Sequence, residues 1–323
     1  MHIDNNIMTP YGFISGITAK SFYENGAIKE LMLNEKNVVI THAGELIPFY
    51  SEETPRRKYK SCLTYHQNGM VKSVSLNEQQ DIITPIGEFP AELVTFYDSG
   101  ELKRFFPLDG KISGFWSEED ERNLNIPFNF EFYFSSFTAM LVGICFYKSG
   151  DIRSLTLFPG ETILVATKNY GEFKVKTGFS LYENGNLKSI EPAVPTPVTT
   201  KIGCINAYDV NAVGINADSN SIEFDEEGSI ISLVTSSDRI AVKSPEGVMK
   251  FITPIEVKNP LSEDESTLIP VKLDFNYAKN TVTITNDKSH VFDLDKSDFS
   301  IFKGSLSPTC SPSDCASCSL CSH

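Results

Sequence analysis

The sequence lacks most of the residues and runs that mark the common catalytic and membrane classes. Its 323 residues contain one tryptophan and five histidines, and none of the histidines lies in a metalloprotease, catalytic-triad or deaminase pattern. No phosphate-binding loop and no dinucleotide-binding glycine fingerprint is present. The longest uncharged apolar stretch, 132–147, is shorter than the roughly 20 residues that a membrane helix needs. We therefore expect neither a membrane span nor a familiar catalytic centre.

Positive charge is also scarce, with 28 lysines and arginines against 42 acidic residues and a net charge of −14. Nucleic-acid binding needs a basic surface, so we exclude nucleic acid as the default partner. The one basic cluster, Arg56-Arg57-Lys58 with Lys60, is interpreted as a solvated loop, with an anion contact as the alternative. The first residues resemble no secretion signal, and we expect a cytoplasmic chain.

One short phrase returns six times, and it is the strongest signal in the chain. The phrase begins with an aromatic or large apolar residue, followed by a residue that is usually tyrosine, then two polar residues and a glycine. After the glycine come one variable residue, then one of Ile, Leu or Val, and usually a basic residue. Such recurrence marks one structural unit used many times. The fixed glycines are Gly26, Gly69, Gly100, Gly150, Gly185 and Gly228.

Each copy predicts a β-hairpin with a three-residue loop and one left-handed glycine at a bulge. The predicted cross-strand pairs are Phe22–Ile28, Phe96–Leu102 and Phe146–Ile152. The same register places basic residues opposite small polar ones, as Lys29–Ser21, Lys72–Thr64, Lys103–Thr95 and Lys188–Ser180. Leu31 and Leu33 share the parity of Lys29, so either a second bulge intervenes or the sheet is covered on both faces. The recurring tyrosine is interpreted as the residue that closes each loop, with a ligand-binding ladder as the alternative.

The whole chain predicts an all-β fold, because strand-like runs dominate and no amphipathic helix is apparent. A second phrase, Thr9-Pro10-Tyr11-Gly12 and Thr84-Pro85-Ile86-Gly87, predicts further turns, and Ser244 to Gly247 resembles it. We expect antiparallel hairpins in one extended twisted sheet or stacked array, with a β-propeller as the alternative. The expected domains are a repetitive hairpin domain at 1–258, a linker at 259–267, a small β-hairpin unit at 268–304 and a flexible tail rich in cysteine and serine at 305–323.

The tail carries the most specific chemical pattern. Four cysteines and a histidine follow the spacing C-x4-C-x2-C-x2-C-x-H, at Cys310, Cys315, Cys318, Cys321 and His323. Thiolates two residues apart can converge on one soft metal ion, so we predict a metal site for zinc or copper, or an iron–sulfur cluster. Three alternatives stay open: a tail that a partner enzyme modifies, disulfide pairing, or a disordered end with incidental thiols.

Two other patterns favour ordinary structure over chemistry. Asn216, Asp218, Asn220 and Glu227 follow part of a calcium-loop spacing, but glycine is missing at the sharp turn, so a polar loop is expected. The remaining cysteines, Cys62, Cys145 and Cys204, lie in strand-like sequence and are expected to be small buried apolar residues.

The phrase Tyr-x-Asn-Gly-x-Ile/Leu-Lys, clearest at Tyr23 to Lys29 and Tyr182 to Lys188, resembles variant MORN repeats of bacterial proteins labelled antitoxin-like. That family's units are shorter than the spacing here. The resemblance implies a non-catalytic scaffold that binds proteins or lipid surfaces.

For function we expect a binding scaffold whose cysteine tail holds a soft metal or an iron–sulfur cluster, with a protein as partner. The first alternative is a carrier or precursor whose tail is modified by a partner enzyme. The second is an enzyme with an unrecognised site on the β scaffold.

Overall fold

The structure is a computed structural model that describes residues 6–58, 60–212, 217–258 and 266–304. The described residues are almost all β-strand, which confirms the predicted all-β class. The first strands are β1 (Ile7–Thr9), β2 (Gly12–Ile14), β3 (Ile17–Phe22), β4 (Ile28–Leu33), β5 (Val39–Thr41), β6 (Gly44–Leu46), β7 (Leu63–Tyr65), β8 (Val71–Thr84), β9 (Gly87–Phe96), β10 (Leu102–Phe106), β11 (Phe128–Phe132), β12 (Ser135–Ala139), β13 (Leu141–Phe146), β14 (Ile152–Leu157), β15 (Ile163–Thr167), β16 (Gly171–Leu181) and β17 (Leu187–Pro192). The later strands are β18 (Thr196–Thr200), β19 (Gly203–Ala207), β20 (Ile222–Phe224), β21 (Ile230–Thr235), β22 (Arg239–Lys243), β23 (Met249–Ile252), β24 (Ile255–Lys258), β25 (Ser266–Ile269), β26 (Val271–Asn276), β27 (Thr281–Thr285), β28 (Ser289–Asp293) and β29 (Asp298–Phe302).

One short helix, α1 (Glu118–Arg122), interrupts the β-structure of the described residues. Ser117 accepts a hydrogen bond from the backbone of Asp120, and the Asp120 carboxylate accepts one from the backbone of Ser117. This reciprocal cap satisfies two N–H groups that the first helical turn leaves unpaired. The sequence prediction contained no helix, since five residues are too few to show an amphipathic period.

The chain divides into two compact units. Unit 1 is drawn from Met1–Ala193 and Ala212–Ser229, and unit 2 from Val194–Asn211 and Ile230–His323. In unit 2, β26 pairs with β21, and β29 pairs with β22. These pairs join strands that the sequence prediction placed on either side of a linker at 259–267, of which 259–265 lie outside the described residues.

Unit 1 is built on one antiparallel sheet, in the order β20-β17-β16-β14-β13-β10-β9-β8-β7-β4-β3, with β15 beside β16. A propeller would divide these strands among separate four-stranded sheets. The continuous order therefore favours the predicted extended sheet over the propeller alternative. Unit 2 contains the four-stranded order β28-β27-β26-β21, the three-stranded order β23-β22-β29 and the pairs β18-β19 and β24-β25.

The register of the unit 1 sheet creates two rows of side chains on opposite faces. One row is apolar and its members are fully buried, namely Leu31, Leu63, Val74, Val94, Phe105, Ile144, Leu155, Phe179, Ile190 and Ile222. The neighbouring row is almost entirely polar, namely Ser21, Glu30, Thr64, Ser73, Thr95, Arg104, Cys145, Ser154, Ser180, Ser189 and Glu223. Successive residues of a strand face opposite sides, so this register fixes the core face of every strand.

Shorter hairpins accompany this sheet, and we call them arms: β1–β2, β5–β6, the outer part of β8–β9, β11–β12, and β15 with the first half of β16. The arm β11–β12 is rich in phenylalanine. Its Phe132 and the adjoining Phe134 both meet the buried Phe179 edge-on, with ring centroids 5.2 Å apart. Such edge-to-face contacts fix ring positions as well as burying apolar area.

Candidate functional site

The six phrase turns form the most regular surface of unit 1. In the first, the backbone N–H of Tyr23 donates to the carbonyl of Ala27 over 2.8 Å, and that of Gly26 donates to Tyr23 over 2.9 Å. The same two bonds recur in the other five turns, and all six glycines have φ between +82° and +102°. These bonds define a three-residue loop with a left-handed glycine, as the sequence predicted.

The predicted pairs Phe22–Ile28, Phe96–Leu102 and Phe146–Ile152 are confirmed. The predicted position of the basic residues is wrong by one residue. Ser21 pairs with Glu30 rather than Lys29, and the same shift occurs at Thr64, Thr95 and Ser180. Lys29 is therefore the extra residue of a second bulge. This bulge also returns Leu31 and Leu33 to the core face, which explains their parity.

The tyrosines connect each phrase to the next through their hydroxyl groups. Four hydroxyls donate to the carbonyl of the first residue of the following phrase: Tyr23 to Tyr65, Tyr97 to Phe146, Tyr147 to Leu181, each over 2.8 Å, and Tyr182 to Phe224 over 2.7 Å. Burial raises the pKa of Tyr97, Tyr147 and Tyr182, so each hydroxyl keeps the proton that it donates. The tyrosines thus close their own loops and also tie neighbouring hairpins together.

His66 takes the place of tyrosine in the second phrase and makes the equivalent contact. Its Nε2 lies 3.1 Å from the carbonyl oxygen of Phe96, the first residue of the third phrase. A carbonyl oxygen only accepts, so Nε2 must carry the hydrogen. The series of side-chain bonds therefore links all six phrases without a gap.

The basic residue that ends a phrase covers the ring of its own tyrosine. Lys103 lies over Tyr97, Arg153 over Tyr147 and Lys188 over Tyr182, at 5.5–6.0 Å from the ring centroid. Cations at this distance are attracted by the ring face. The second bulge of each hairpin brings the basic residue to this position. The register predicted from the sequence did not include this contact.

The arm tips reach the phrase turns, and each tip lies beside a different turn. Pro10 approaches Gly69, His42 Nδ1 lies 3.3 Å from the carbonyl oxygen of Gly100, and Pro85 approaches Gly150. Asn169 donates to the carbonyl of Gly228 over 3.1 Å, and the Tyr133 hydroxyl accepts from the backbone of Leu187. Several tips share a threonine hydroxyl that donates to a following glycine carbonyl, at Thr9, Thr41, Thr84 and Thr167.

Three notches open between paired phrase turns and the arm tips. Notch A lies between the first two phrases and has a volume of about 320 Å³. Notch B lies between the third and fourth, also about 320 Å³, and notch C between the fifth and sixth, about 420 Å³. The same position of the turn lines each notch: Gln67 in notch A, Lys148 in notch B and Glu226 in notch C. Cavities of this size accept side chains or small ligands.

The titratable groups of notch B have partners of their own. Lys148 pairs with Asp98 at 3.0 Å, and Glu101 accepts from Ser99 over 2.5 Å. Hydrogen bonds from these neighbours lower the pKa of both carboxylates. Both remain charged at neutral pH, which suits a contact surface more than proton transfer.

The basic cluster is a solvated loop only in part: Lys58 and Lys60 are exposed as expected, whereas the expectation is wrong for Arg56 and Arg57. Arg56 donates to Glu92 and Glu121 over 2.6–2.9 Å, and Arg57 lies 3.5 Å from Glu92. Burial raises the pKa of Glu121, but hydrogen bonds from Arg56 and Trp116 outweigh burial and hold the pKa below its ordinary value. Paired buried charges of this kind hold segments in place. The carboxylates come from β9 and α1, which no local sequence pattern connects with residues 56 and 57.

Asp218, part of the calcium-loop spacing, also has a structural role. It accepts hydrogen bonds from Ser154 and from Arg104, the latter over 2.6 Å. Burial raises the pKa of Asp218, but these two partners outweigh burial and lower it. Asn220 donates to Ser189 over 2.7 Å, so this segment covers part of the polar row. Asn216 lies outside the described residues, and the polar-loop interpretation accounts for the remainder.

The described part of the chain contains three of the seven cysteines. Cys62 and Cys145 are buried as expected, and burial raises the pKa of Cys62 to about 12. Cys204 is exposed, so the expectation of burial is wrong for this residue. The predicted metal ligands Cys310, Cys315, Cys318, Cys321 and His323 lie outside the described residues. Within the described ranges no group of three His, Cys, Asp or Glu is placed to hold a metal.

No helix in the described ranges is long and apolar enough to cross a membrane. Comparisons with family models, with curated proteins and with solved structures found no match.

Proposed function

We propose that this chain is a non-catalytic β-hairpin scaffold that binds an extended protein segment along the row of phrase turns. The observation that carries the proposal is the series of side-chain bonds from Tyr23 to Phe224, which links each phrase turn to the next. Notches open at equivalent positions along this series. A preformed surface of this kind binds with little ordering cost. The resemblance to variant MORN repeats points the same way.

The spacing of the notches suits an extended partner. Notches A and B are separated by about four strands, or roughly 19 Å at the usual 4.8 Å between strands. An extended chain covers that distance in about six residues. A partner with anchoring side chains about six residues apart would therefore fill successive notches.

The test uses two variants that change the same position of the turn. The first places tryptophan at Gln67, Lys148 and Glu226, which line the notches; the second places it at Glu24 and Glu183, which do not line these three notches. Tagged full-length chains are purified from the native cell and their co-purifying proteins quantified by mass spectrometry. We expect one or more partners to be lost by the first variant and kept by the second. Equal retention, or equal loss, would contradict the proposal.

The cysteine tail supplies the second part of the proposed function. We propose that Cys310, Cys315, Cys318 and Cys321, with His323, bind zinc, copper or an iron–sulfur cluster. Anaerobic purification with metal analysis and an absorption spectrum tests this. We expect metal in the native chain and none in a variant with serine at the four tail cysteines, whereas serine at Cys204 should leave the metal content unchanged. A colourless, metal-free native chain would contradict it.

The alternative function is that of a carrier or precursor. Four cysteines within twelve residues, against three in the preceding 309, favour a tail that a partner enzyme modifies. The intact mass of protein from the native cell decides between the two, because modification changes the covalent mass whereas a bound metal is lost on denaturation. An unmodified mass would remove this alternative.

The proposal includes a cytoplasmic location. It also includes no nucleic-acid partner, on the basis of the net charge of −14. An enzyme with an unrecognised site remains the second alternative. Turnover that is lost on substitution of titratable residues lining a notch, such as His42 or Glu101, would support it.

A further inference from the structure

A short loop of unit 1, residues 110–117, presents the most exposed of the large apolar side chains in the described ranges. Phe115 is 84% exposed, and Ile112 on the same loop is 52% exposed. The loop is a closed turn, since the backbone N–H of Ser113 donates to Trp116 over 2.8 Å and that of Trp116 donates back over 3.3 Å. An exposed phenylalanine on an ordered turn keeps its apolar ring in contact with water, which is unfavourable, and it contributes nothing to the core.

Buried charges hold this loop in place. The Trp116 indole N–H donates to Glu121 over 2.6 Å, and the backbone N–H of Gly110 donates to the same carboxylate over 2.9 Å. Arg56 pairs with Glu121 and accepts, through its carbonyl, the backbone N–H of Lys111 over 2.9 Å. Both ends of the loop are thus fixed to one buried ion network. Fixing a loop before binding removes the ordering cost that association otherwise carries.

Acidic side chains flank Phe115 on its C-terminal side. Glu118, Glu119 and Asp120 follow within five residues, and all three are exposed. None of them forms an ion pair with a basic residue in the ranges that the structure describes. An aromatic anchor beside unpaired carboxylates is complementary to an apolar pocket with a basic rim.

The negative charge beside Phe115 distinguishes between the partners that could bind this loop. An anionic membrane surface attracts basic segments and would repel these carboxylates. A second copy of this chain would bring the same acidic flank, and a net charge of −14, against itself. A different protein with lysine or arginine around an apolar pocket fits both features.

We propose that Phe115 is the anchor of a protein-binding surface, seated in an apolar pocket of a partner whose rim is basic, with Glu118 and Glu119 steering the encounter. This surface is separate from the notches at the phrase turns, and it goes beyond the scaffold function proposed above.

The test places a photocrosslinking phenylalanine analogue at position 115 of the full-length chain in its native cell. The matched control places the analogue at Phe13, another phenylalanine of unit 1 that is 59% exposed. We expect position 115, but not position 13, to crosslink to one protein through a peptide with basic residues nearby. The notch variant with tryptophan at Gln67, Lys148 and Glu226 should keep this crosslink, so failure of the scaffold proposal and failure of this one are distinguishable.

The crosslinked partner is then purified and its affinity measured. We expect F115A to weaken binding at least about tenfold and F13A to change it less than about twofold, because aromatic anchors carry most of the binding energy. The pair E118K/E119K should slow association and reverse its salt dependence. Unchanged circular dichroism would show that F115A is folded.

Three results would overturn the proposal. They are a crosslink only to a second copy of this chain, unaltered affinity of F115A for the partner, or Phe115-dependent binding to phosphatidylserine–phosphatidylcholine vesicles without a protein crosslink.

Discussion

Tyr97 donates its hydroxyl hydrogen to the carbonyl oxygen of Phe146 over 2.8 Å, although the two residues are 49 positions apart. The bond joins the third phrase to the fourth across an intervening segment that includes helix α1 and the phenylalanine-rich arm β11–β12. The bond adds a side-chain link between the third and fourth hairpins, whose strands β10 and β13 also pair through their backbones.

Replacing Tyr97 with phenylalanine should lower the free energy of unfolding by about 1 kcal/mol, because one partly buried hydrogen bond is lost while the ring remains. Urea unfolding followed by circular dichroism measures this. Tyr50→Phe is the control, since the Tyr50 hydroxyl makes no hydrogen bond within the described ranges, and it should leave stability unchanged. Equal effects of the two substitutions would mean that the hydroxyl bond contributes nothing of its own.

Two glycines with positive φ should respond differently to alanine. Gly185 has φ +82° and open space where a Cβ would lie, so Gly185→Ala should cost about 1–2 kcal/mol from backbone strain alone. Gly178 has φ +126°, and its Cβ would lie 1.9 Å from the carbonyl oxygen of Leu155. Gly178→Ala should therefore cost considerably more. Thermal unfolding compares them, and equal melting temperatures would contradict the close approach at Gly178.

Much of this architecture could be predicted from local pattern. The glycine of each phrase fixed the turn type, and the apolar residues on either side fixed the first pair of each hairpin. The sequence left the bulge at Lys29 as one of two alternatives, since the bulge depends on how β4 pairs further along. The arm tips were only partly predicted. Thr-x-x-Gly at Thr41 marks the same kind of tip as at Thr9 and Thr84, but it lacks the proline that predicts a turn at the latter two.

The surfaces were harder to predict than the fold. The link from Tyr23 to Tyr65 depends on distances between separate hairpins, and no spacing along the chain encodes it. The ion network around Arg56 combines residues from three segments that are distant in sequence. The basic residues alone therefore had the pattern of a solvated charged loop. Local periodicity shows which face of a strand is buried, whereas long-range pairing decides which polar groups meet.

The stability of unit 1 should fall in acid because of Glu121. Its pKa in the folded chain lies below the unfolded value of about 4.3, owing mainly to hydrogen bonds from Arg56 and Trp116 that outweigh burial. A group with a lowered folded pKa stabilises the fold above the unfolded pKa, and the contribution is lost as the pH falls through the folded pKa.

Urea midpoints between pH 7 and pH 3 measure this dependence. The variant E121Q should be less stable at pH 7 and should show a flatter decline below about pH 4.3, since glutamine does not titrate. The exposed Glu119→Gln is the control and should keep the native slope. A native-like slope in E121Q would assign the acid sensitivity to other carboxylates.

His66 should behave as a tyrosine equivalent, with its hydrogen on Nε2. Long-range nitrogen–proton NMR spectra at neutral pH should show the Nε2–H tautomer, because the carbonyl of Phe96 only accepts a hydrogen bond. His66→Phe removes the donor and should cost about 1 kcal/mol, whereas His66→Tyr supplies a hydroxyl in the same place and should cost less. The comparison separates the hydrogen bond from ring packing, since both variants keep an aromatic ring. A hydrogen on Nδ1, or a His66→Phe variant as stable as the native chain, would mean that the second phrase is joined to the third by packing alone.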